Sequence, residues 1–263
     1  MKVNLIAHTP NPEQLVAAAA KLCYSDCSID SLFDFLTPEK TAAFLTKLNN
    51  LGHASPLEHV TFTFAIQGVS RALLAQITRH RLASFSVQSQ RYNHLGLSDS
   101  GSGYIKPDSV ANFPELSAAF DKWAQKNQQD YQALHEILKQ KFTSELIRKG
   151  CSEQEAAQKA EKMANEDARS ILPNACETRF IVTMNARELN HFFSLRCCNR
   201  AQDEIHSLAN EMLRLVYPVA PNLFAKSGPG CVSSGHCTEG SMSCGKSSKV
   251  RSDYESLKKG AAK

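Results

Sequence analysis

A change of hydrophobic period within one short stretch constrains the fold of this chain more than any other feature. Val60-Thr-Phe-Thr-Phe-Ala-Ile-Gln67 alternates β-branched and aromatic residues with period two, as a strand does. From Ser70 the period lengthens, and Leu73, Leu74 and Ile77 share one side of a helix that ends near His80. Strand followed by helix recurs along the chain. Val3 to His8 predicts a first strand, and Asn11-Pro12 supplies an N-cap and a first-turn proline for a helix running to about Cys23. Thr37-Pro38 repeats the device for a helix that carries Phe44, Leu45 and Leu48 on one face and stops near Gly52. Thr178 to Met184 is a short β-rich run. It leads into a helix from Asn185 to Cys197 and another from Ala201 to Tyr217, with Ile205, Leu208, Ala209 and Met212 inward and Phe192 and Phe193 as core.

Two longer segments are helical throughout. Between Pro114 and Gly150, Leu116, Phe120, Trp123, Tyr131, Leu134 and Leu138 are spaced as the apolar stripe of one long amphipathic helix. Ser152-Glu-Gln-Glu155 then has the form of a capping box, opening a second helix to about Ile171. Ser84 to Tyr92 has few helix formers and reads as extended or loop. Few strands and segregated helices imply an α+β class: a single domain with a central, mostly antiparallel sheet flanked by helices, and the helical pair 115–170 inserted in it. After Pro221 the composition turns to Gly, Ser and Cys and then to Lys, which predicts a tail over 223–263 outside the packed core.

With 42% hydrophobic and 21% charged residues, the 263-residue chain has the make-up of a globular protein and not of a disordered one. A net charge of +4 suits anionic ligands but falls short of a dedicated nucleic-acid binder, so no nucleic-acid partner is expected. The apolar start of the chain is too short for a secretory leader and no run is long enough to span a membrane, which predicts a cytoplasmic protein with no membrane partner. Nine cysteines, an odd number unevenly spread, read as reduced thiols.

The chemistry concentrates in Gln76-Ile-Thr-Arg79-His80-Arg81-Leu-Ala-Ser84-Phe-Ser86-Val-Gln-Ser89-Gln-Arg91-Tyr92. Gln76, Arg79 and His80 share a helical face at i, i+3 and i+4, and period-two spacing in the extended part aligns Ser89 with Arg91. Guanidinium forks and serine hydroxyls suit phosphate oxygens, so the segment reads either as a phosphate and base clamp or as a solvated basic helix end. A second cluster, Gly52-His53-Ala-Ser55-Pro56-Leu-Glu58-His59, fits a metal site, an acid-base pair, or a turn that caps the following strand. A third comprises Arg169 and the helix carrying Asn185, Arg187, Glu188, His191 and Arg196. On that helix Asn185 and Arg196 point the same way but lie roughly 16 Å apart along the axis, while Arg187 and Glu188 read as surface or intersubunit ion-pair residues.

Taken together, these motifs resemble the flavin-dependent thymidylate synthases. Arg79-His80-Arg81 followed by seven residues and Ser89 matches the family signature. His53-x-Ser55-Pro56-x-Glu58-His59, Gln76, Ala168-Arg169-x-x-Leu172-Pro173, Asn185-Ala-Arg187 and Leu195-Arg196 match in order and spacing, over residues about 1–95 and 165–220. The resemblance implies a catalytic domain over 1–222 and a homotetramer whose sites form between subunits. It implies FAD contacts from His53, Ser55, Arg79, His80, Arg81 and Asn185, and dUMP contacts from Gln76, Arg79, Ser89, Arg91, Arg169 and Arg196. His53, Ser89 and Arg196 are the residues it places at the chemistry. The implied reaction reduces FAD with NADPH, moves a methylene from methylenetetrahydrofolate to C5 of the uracil of dUMP, and delivers hydride from the flavin to give dTMP. Val87 stands where an acidic residue is common in the family and His191 where an asparagine near FAD is common, so those two contacts are not carried over.

Two other motifs are set aside. Gly240-Ser-Met-Ser-Cys-Gly245-Lys246-Ser247 has the letters of a P-loop, but it follows no strand and precedes what reads as a charged tail. Cys231, His236, Cys237 and Cys244, with Cys197 and Cys198, supply soft ligands without the short C-x-x-C knuckle of structural zinc, so plain reduced thiols and no metal are expected. The alternative function is a non-catalytic nucleotide- or RNA-binding module. That reading leaves the His53 cluster and Arg169 idle and has few aromatics, 8%, with which to stack bases.

Overall fold

A computed structural model of the chain describes residues 1–34, 36–93 and 103–261. In chain order the elements are β1 (Lys2–His8), α1 (Pro12–Leu22), α2 (Pro38–Leu51), β2 (Thr61–Ser70), α3 (Arg71–Ile77), β3 (Ala83–Val87), α4 (Asp108–Ala111), α5 (Pro114–Arg148), α6 (Glu153–Ala168), β4 (Glu177–Asn185), α7 (Ala186–Arg196), α8 (Asp203–Val216), α9 (Gly230–Ser233) and α10 (Ser247–Ala261). The change of period at Ser70 is realised as β2 running directly into α3, and the Ser70 hydroxyl accepts the Leu73 backbone N–H at 3.0 Å. The strands form one sheet in the order β1-β2-β4-β3, so the α+β single-domain class read from the sequence holds. Within it the chain makes two compact units, residues 1–66, 76–86 and 181–263 in one, and 67–75 and 87–180 in the other.

In the first unit the inward faces of β2 and β4 place Phe62, Phe64, Val182 and Met184 in the core. α8 lays Ile205, Leu208, Ala209, Met212, Leu213 and Val216 against it. Burying one such large aliphatic side chain contributes about 1.5–3 kcal/mol, which is ample to dock this helix. Phe192 and Phe193 of α7 are fully buried, as their spacing predicts. Thr37 caps α2 through the Lys40 N–H, and Gly52 ends that helix at φ 73°, a conformation glycine takes without strain. Asn11 departs from expectation: it stands at φ 46° and makes no side-chain cap.

The second unit is built on α5 and α6. The capping box at Ser152 and Glu155 is present with both of its hydrogen bonds. Ala156, Ala160, Ala164 and Ala168, four residues apart, are fully buried and form a smooth ridge on α6 that lets another helix approach closely. The stripe on α5 is only partly buried. Tyr131 is in the core and Phe120 is half-buried, whereas Leu116 and Trp123 are exposed. The reason is length: 35 residues reach about 52 Å and the 16 of α6 only about 24 Å, so α5 has no α6 opposite much of its N-terminal half. Among the described residues no helix is long and apolar enough to cross a membrane.

The segment after Pro221 corrects the sequence reading, because it is packed. Leu223 and Phe224 are buried, and the Phe224 ring meets Phe62 edge-on at 5.3 Å. α10 places Val250, Tyr254 and Leu257 on one face, an i, i+4, i+7 stripe hidden among charged residues in the sequence. The Tyr254 hydroxyl donates to the Cys197 carbonyl at 3.1 Å and also meets the Asn210 amide oxygen. Burial raises the pKa of that hydroxyl, which keeps it a donor. Lys258 is 8% exposed and donates to the Ala225 carbonyl at 2.7 Å, and burial holds its pKa down to about 8. Tyr254→Phe leaves two buried acceptors without their donor. It should lower unfolding stability by about 1–3 kcal/mol, read as a lower denaturant midpoint with earlier proteolysis of the C-terminal segment. An unchanged midpoint would show that α10 is not anchored this way.

Candidate functional site

In the first unit the chain leaves α3 through a tight turn, with Arg79 N–H on the Gln76 carbonyl at 3.3 Å and His80 N–H on that of Ile77 at 3.0 Å. The turn drives His80 inward, to 5% exposure, and leaves Arg79 and Arg81 in solvent. The His80 ring stands edge-on to Phe192 at 5.0 Å and to His191 at 5.9 Å. Its Nδ1 is 2.9 Å from Glu188 Oε1, and its Nε2 accepts from Arg196 Nε at 3.3 Å. A guanidinium has no lone pair to offer, so Nε2 carries no proton, and Nδ1–H donates to the carboxylate. The electrostatics agree with that neutral tautomer. Burial lowers the His80 pKa, Glu188 opposes the shift, and the charges of Arg196 and His191 add to it.

Glu188, Phe192 and Arg196 stand at i, i+4 and i+8 on α7 and so share the face that meets His80. The sequence reading of Glu188 as a surface residue is therefore corrected: it is 5% exposed, and its carboxylate holds an imidazole. Arg187 behaves as read, forming an exposed ion pair with Glu58. Asn185 is the N-cap of α7 and not part of its body, and its Oδ1 accepts the Glu188 N–H at 2.8 Å. Gln76 is hydrogen-bonded to Gln202 at the head of α8.

The charge around Arg196 is unbalanced. Burial and the like charge of Arg79 both lower the pKa of its guanidinium. Among the described residues no carboxylate pairs with Arg79, Arg81 or Arg196. Cations brought together without counter-charge favour an anion.

The His53 cluster follows the left-handed turn at Gly52. His53 is exposed, with Nδ1 2.6 Å from the Tyr24 hydroxyl, a partner the sequence does not signal. Ser55 opens a short 3₁₀ turn and is also exposed. Beside them lies a cavity of about 220 Å³ whose walls include His53, Ala54, Arg187, Asn190, Lys226 and Ser227. Lys226 comes from a region to which sequence reading assigned no ligand, and Asn190 stands on α7 between the two contacts assigned there, Asn185 and Arg196. A larger cavity, about 340 Å³, lies against α10 and contains none of the residues assigned to FAD or dUMP from the sequence, although Lys246 of the P-loop letters lines it.

In the second unit Ser89, Arg91 and Arg169 come together around Glu166. Arg91 Nη2 pairs with Glu166 Oε2 at 2.7 Å, and Arg169 Nε donates to the Glu166 carbonyl at 3.3 Å. Ser89 lies beyond the end of β3, so period-two alignment does not relate it to Arg91. A turn does, with the Ser89 hydroxyl accepting the Arg91 N–H at 3.2 Å. Arg71, which sequence reading missed, belongs here as well. Burial lowers its pKa, Cys176 opposes that, and the charge of Arg169 adds to it. Arg71 Nη1 and Arg91 Nε are shielded from solvent without an acceptor. The one carboxylate in this group is taken by Arg91, and the shielded nitrogens of Arg71 and Arg91 leave donors over for an oxyanion.

The P-loop letters at 240–247 begin in a 3₁₀ turn, Gly240–Met242, and lead into α10 and not into an irregular tail, but α9 and no strand precedes them, so the phosphate-binding context is still missing.

Comparisons with known proteins agree with this arrangement. The family model of thymidylate synthase complementing protein matches residues 4–222. A flavin-dependent thymidylate synthase of Clostridium tetani is 48% identical over 254 residues, covering 97% of both chains, and one of Geobacter sulfurreducens is 46% identical over 253 residues, covering 95% of this chain and 97% of its own. The crystal structure of the flavin-dependent thymidylate synthase of Helicobacter pylori complexed with FAD and dUMP shares the fold, with a TM-score of 0.56 at 23% identity over 87% of this chain and 100% of that one. The chain belongs to the flavin-dependent thymidylate synthase family.

Proposed function

We propose that this protein methylates dUMP to dTMP in the cytoplasm as a homotetramer, with methylenetetrahydrofolate as the one-carbon donor and NADPH-reduced FAD as the source of hydride. The observation that carries the reading is the pair Arg79 and Arg196, two guanidiniums without a carboxylate, one of them fixed by a buried neutral histidine.

Arg196 faces the uracil. Negative charge develops on the ring as C5 attacks the methylene carbon, and a fixed cation there stabilises the transition state more than the ground state. Glu188 and His80 are positioning residues that hold the Arg196 guanidinium in one orientation. By the family resemblance Gln76, Arg79, Ser89, Arg91 and Arg169 also bind dUMP, in sites formed between subunits of the tetramer. The unpartnered Arg91 Nε and Arg71 Nη1 suit phosphate oxygens. FAD, when bound, supplies the hydride that completes the methyl group. The residues present fit it: Arg79 and Arg81 would offer unpaired guanidiniums to its pyrophosphate, and His53, which lines the cavity of about 220 Å³, would with Ser55 and Asn185 meet its neutral parts. A passive RNA-binding module would leave the chain Glu188–His80–Arg196 without a use.

An anaerobic assay of the full-length protein, omitting one component at a time, tests the reaction. Formation of dTMP should require dUMP, methylenetetrahydrofolate, FAD and reduced nicotinamide together. Product without flavin, or none with all four present, would refute the proposal.

The histidine contact sets the pH dependence. Since the His80 pKa lies below its ordinary value, the ring is neutral at pH 7 and takes a proton at Nε2 only as pH falls through that lowered value, which ends acceptance from Arg196. Turnover should therefore fall on the acid side. Glu188→Gln removes the charge that raises the His80 pKa, so the acid limb should move to lower pH while FAD is retained. A limb that stays put or moves up would rule out Glu188 as the positioning group. Arg196→Ala should lower kcat by about 10²-fold or more with FAD content unchanged.

Ser89 is assigned to bind dUMP and not to attack it, because its hydroxyl is engaged by the Arg91 N–H and arginine cannot serve as a base. Ser89→Ala should cost about ten- to a hundredfold in kcat/KM and still form dTMP in a single turnover with prereduced flavin. Complete loss of product with normal dUMP and FAD binding would make Ser89 a nucleophile.

A further inference from the structure

Four of the nine cysteines, far apart in sequence, line one small cavity in the first unit. Cys198 follows the end of α7, Cys231 lies in α9, Cys237 lies in the loop after α9, and Cys244 precedes α10. His236, one of the soft ligands counted from the sequence, is not among its walls and turns its Nδ1 to the Ser234 carbonyl at 3.1 Å. Cys197 is also elsewhere, fully buried, with burial pushing its thiol up to about 12. Folding has thus replaced a mixed histidine and cysteine set by four thiols.

We infer that Cys198, Cys231, Cys237 and Cys244 form a tetrathiolate site for a single soft divalent cation, Zn²⁺, that fastens the C-terminal segment to the end of α7. The ligand chemistry is that of structural zinc, four sulfurs from separate loops. The cavity volume is about 20 Å³. That is close to the room one water molecule needs, about 10–15 Å³, which is room for a single ion. Among the described residues no three such side chains already stand close enough to hold an ion, so the site requires the four cysteines that line the cavity to close on the ion as it binds.

Three features of the surroundings favour such a site. The Asn199 amide points a donor at Cys244 Sγ at 3.9 Å, the kind of N–H···S contact that steadies a metal-bound thiolate. Cys231 is buried, so one wall of the cavity is a thiol withdrawn from solvent. Lys246 and Lys249 line the adjoining cavity, which shares Asn199 and Val250 with this one, and their charge offsets the negative charge of a tetrathiolate.

The segment also needs a fastening. Between Ala225 and Lys246 only Val232 and Met242 are large aliphatics, and Met242 is exposed. The segment has too little apolar surface to hold the cysteine loops by burial alone. Gly230 lets the backbone pass so close to Thr238 that a side chain there would collide with it, and this pins the Cys231 and Cys237 segments against each other. Binding is proton-coupled: four thiols release up to four protons as Zn²⁺ forms four Zn–S bonds, with no change of oxidation state.

The experiment is metal analysis of the untagged, full-length, FAD-loaded protein after equilibration with Zn²⁺ and washing against a competing chromophoric chelator. About one zinc per chain should remain, and Cys237→Ser or Cys244→Ser should reduce it to about a tenth or less, whereas Cys23→Ser and Cys151→Ser should leave it unchanged. Replacement by Co²⁺ should give the intense visible bands of tetrahedral thiolate cobalt. If a serine variant fails to fold, the wild-type zinc content and cobalt spectrum decide alone. Wild-type protein that retains no metal overturns the inference. So does zinc that survives both serine substitutions, or iron with acid-labile sulfide in place of zinc.

Discussion

A buried imidazole must find an acceptor for its N–H and a donor for its lone pair, and in this molecule both come from one helix. Glu188 and Arg196, two turns apart on α7, take the two nitrogens of His80. That fixes the rotation of α7 about its axis and hence much else. Phe192, between them on the same face, packs on the imidazole edge, Phe193 turns into the core, and the capped start of the helix brings Asn185 to the end of β4. Because the turn after α3 sends His80 inward, Arg79 and Arg81 must point outward. One hydrogen-bonded pair of contacts thereby sets the core register and the exposed cationic face together. A charged His80 in the same place would repel Arg196, so the arrangement requires the neutral ring that burial favours.

The second unit solves a related problem with opposite emphasis. Arg91 pairs with the Glu166 carboxylate, Arg169 turns to the Glu166 backbone carbonyl, and Arg71 feels the charge of Arg169, which leaves shielded nitrogens of Arg71 and Arg91 without acceptors. Leaving such donors buried and unsatisfied costs about 1–3 kcal/mol each, a cost that an oxyanion accepting from them would remove. The supporting structure is correspondingly rigid: a capping box starts α6, and its alanine ridge is wholly buried. Stability is concentrated in these helices, and the cationic end where α6 gives way to Arg169 is left under-satisfied.

The C-terminal segment shows a third balance. It is poor in large apolar side chains, yet Tyr254, Val250 and Phe224 anchor both of its ends by burial and hydrogen bonding. What lies between them is glycine-rich loop, in which Cys231 is buried and Cys237 and Cys244 line the same small cavity. Composition averages over such a segment and reads it as a tail.

The sequence by itself determined the elements and their order. Changes of period located β2, α3 and β4, and local chemistry located helix ends at Thr37, Gly52 and Ser152, because capping depends on residues within a few positions of one another. The cluster Arg79-His80-Arg81 and the family it resembles were also legible, since the motif is contiguous. Tertiary structure alone decided what lies beyond that reach. Glu188 has the character of a surface residue until the fold brings His80, 108 positions away, against it. Arg71 sits in an ordinary helix start until the fold brings the charge of Arg169 to bear on it, and Tyr24 has no visible tie to His53 in the chain. The exposed half of α5 looked buried because periodicity records which face is apolar but not whether a partner is long enough to cover it. Cys198 joins three cysteines from the far end of the chain for the same reason: spacing along the sequence specifies local geometry, whereas ligand sets and charge pairs are set by distances that only packing creates.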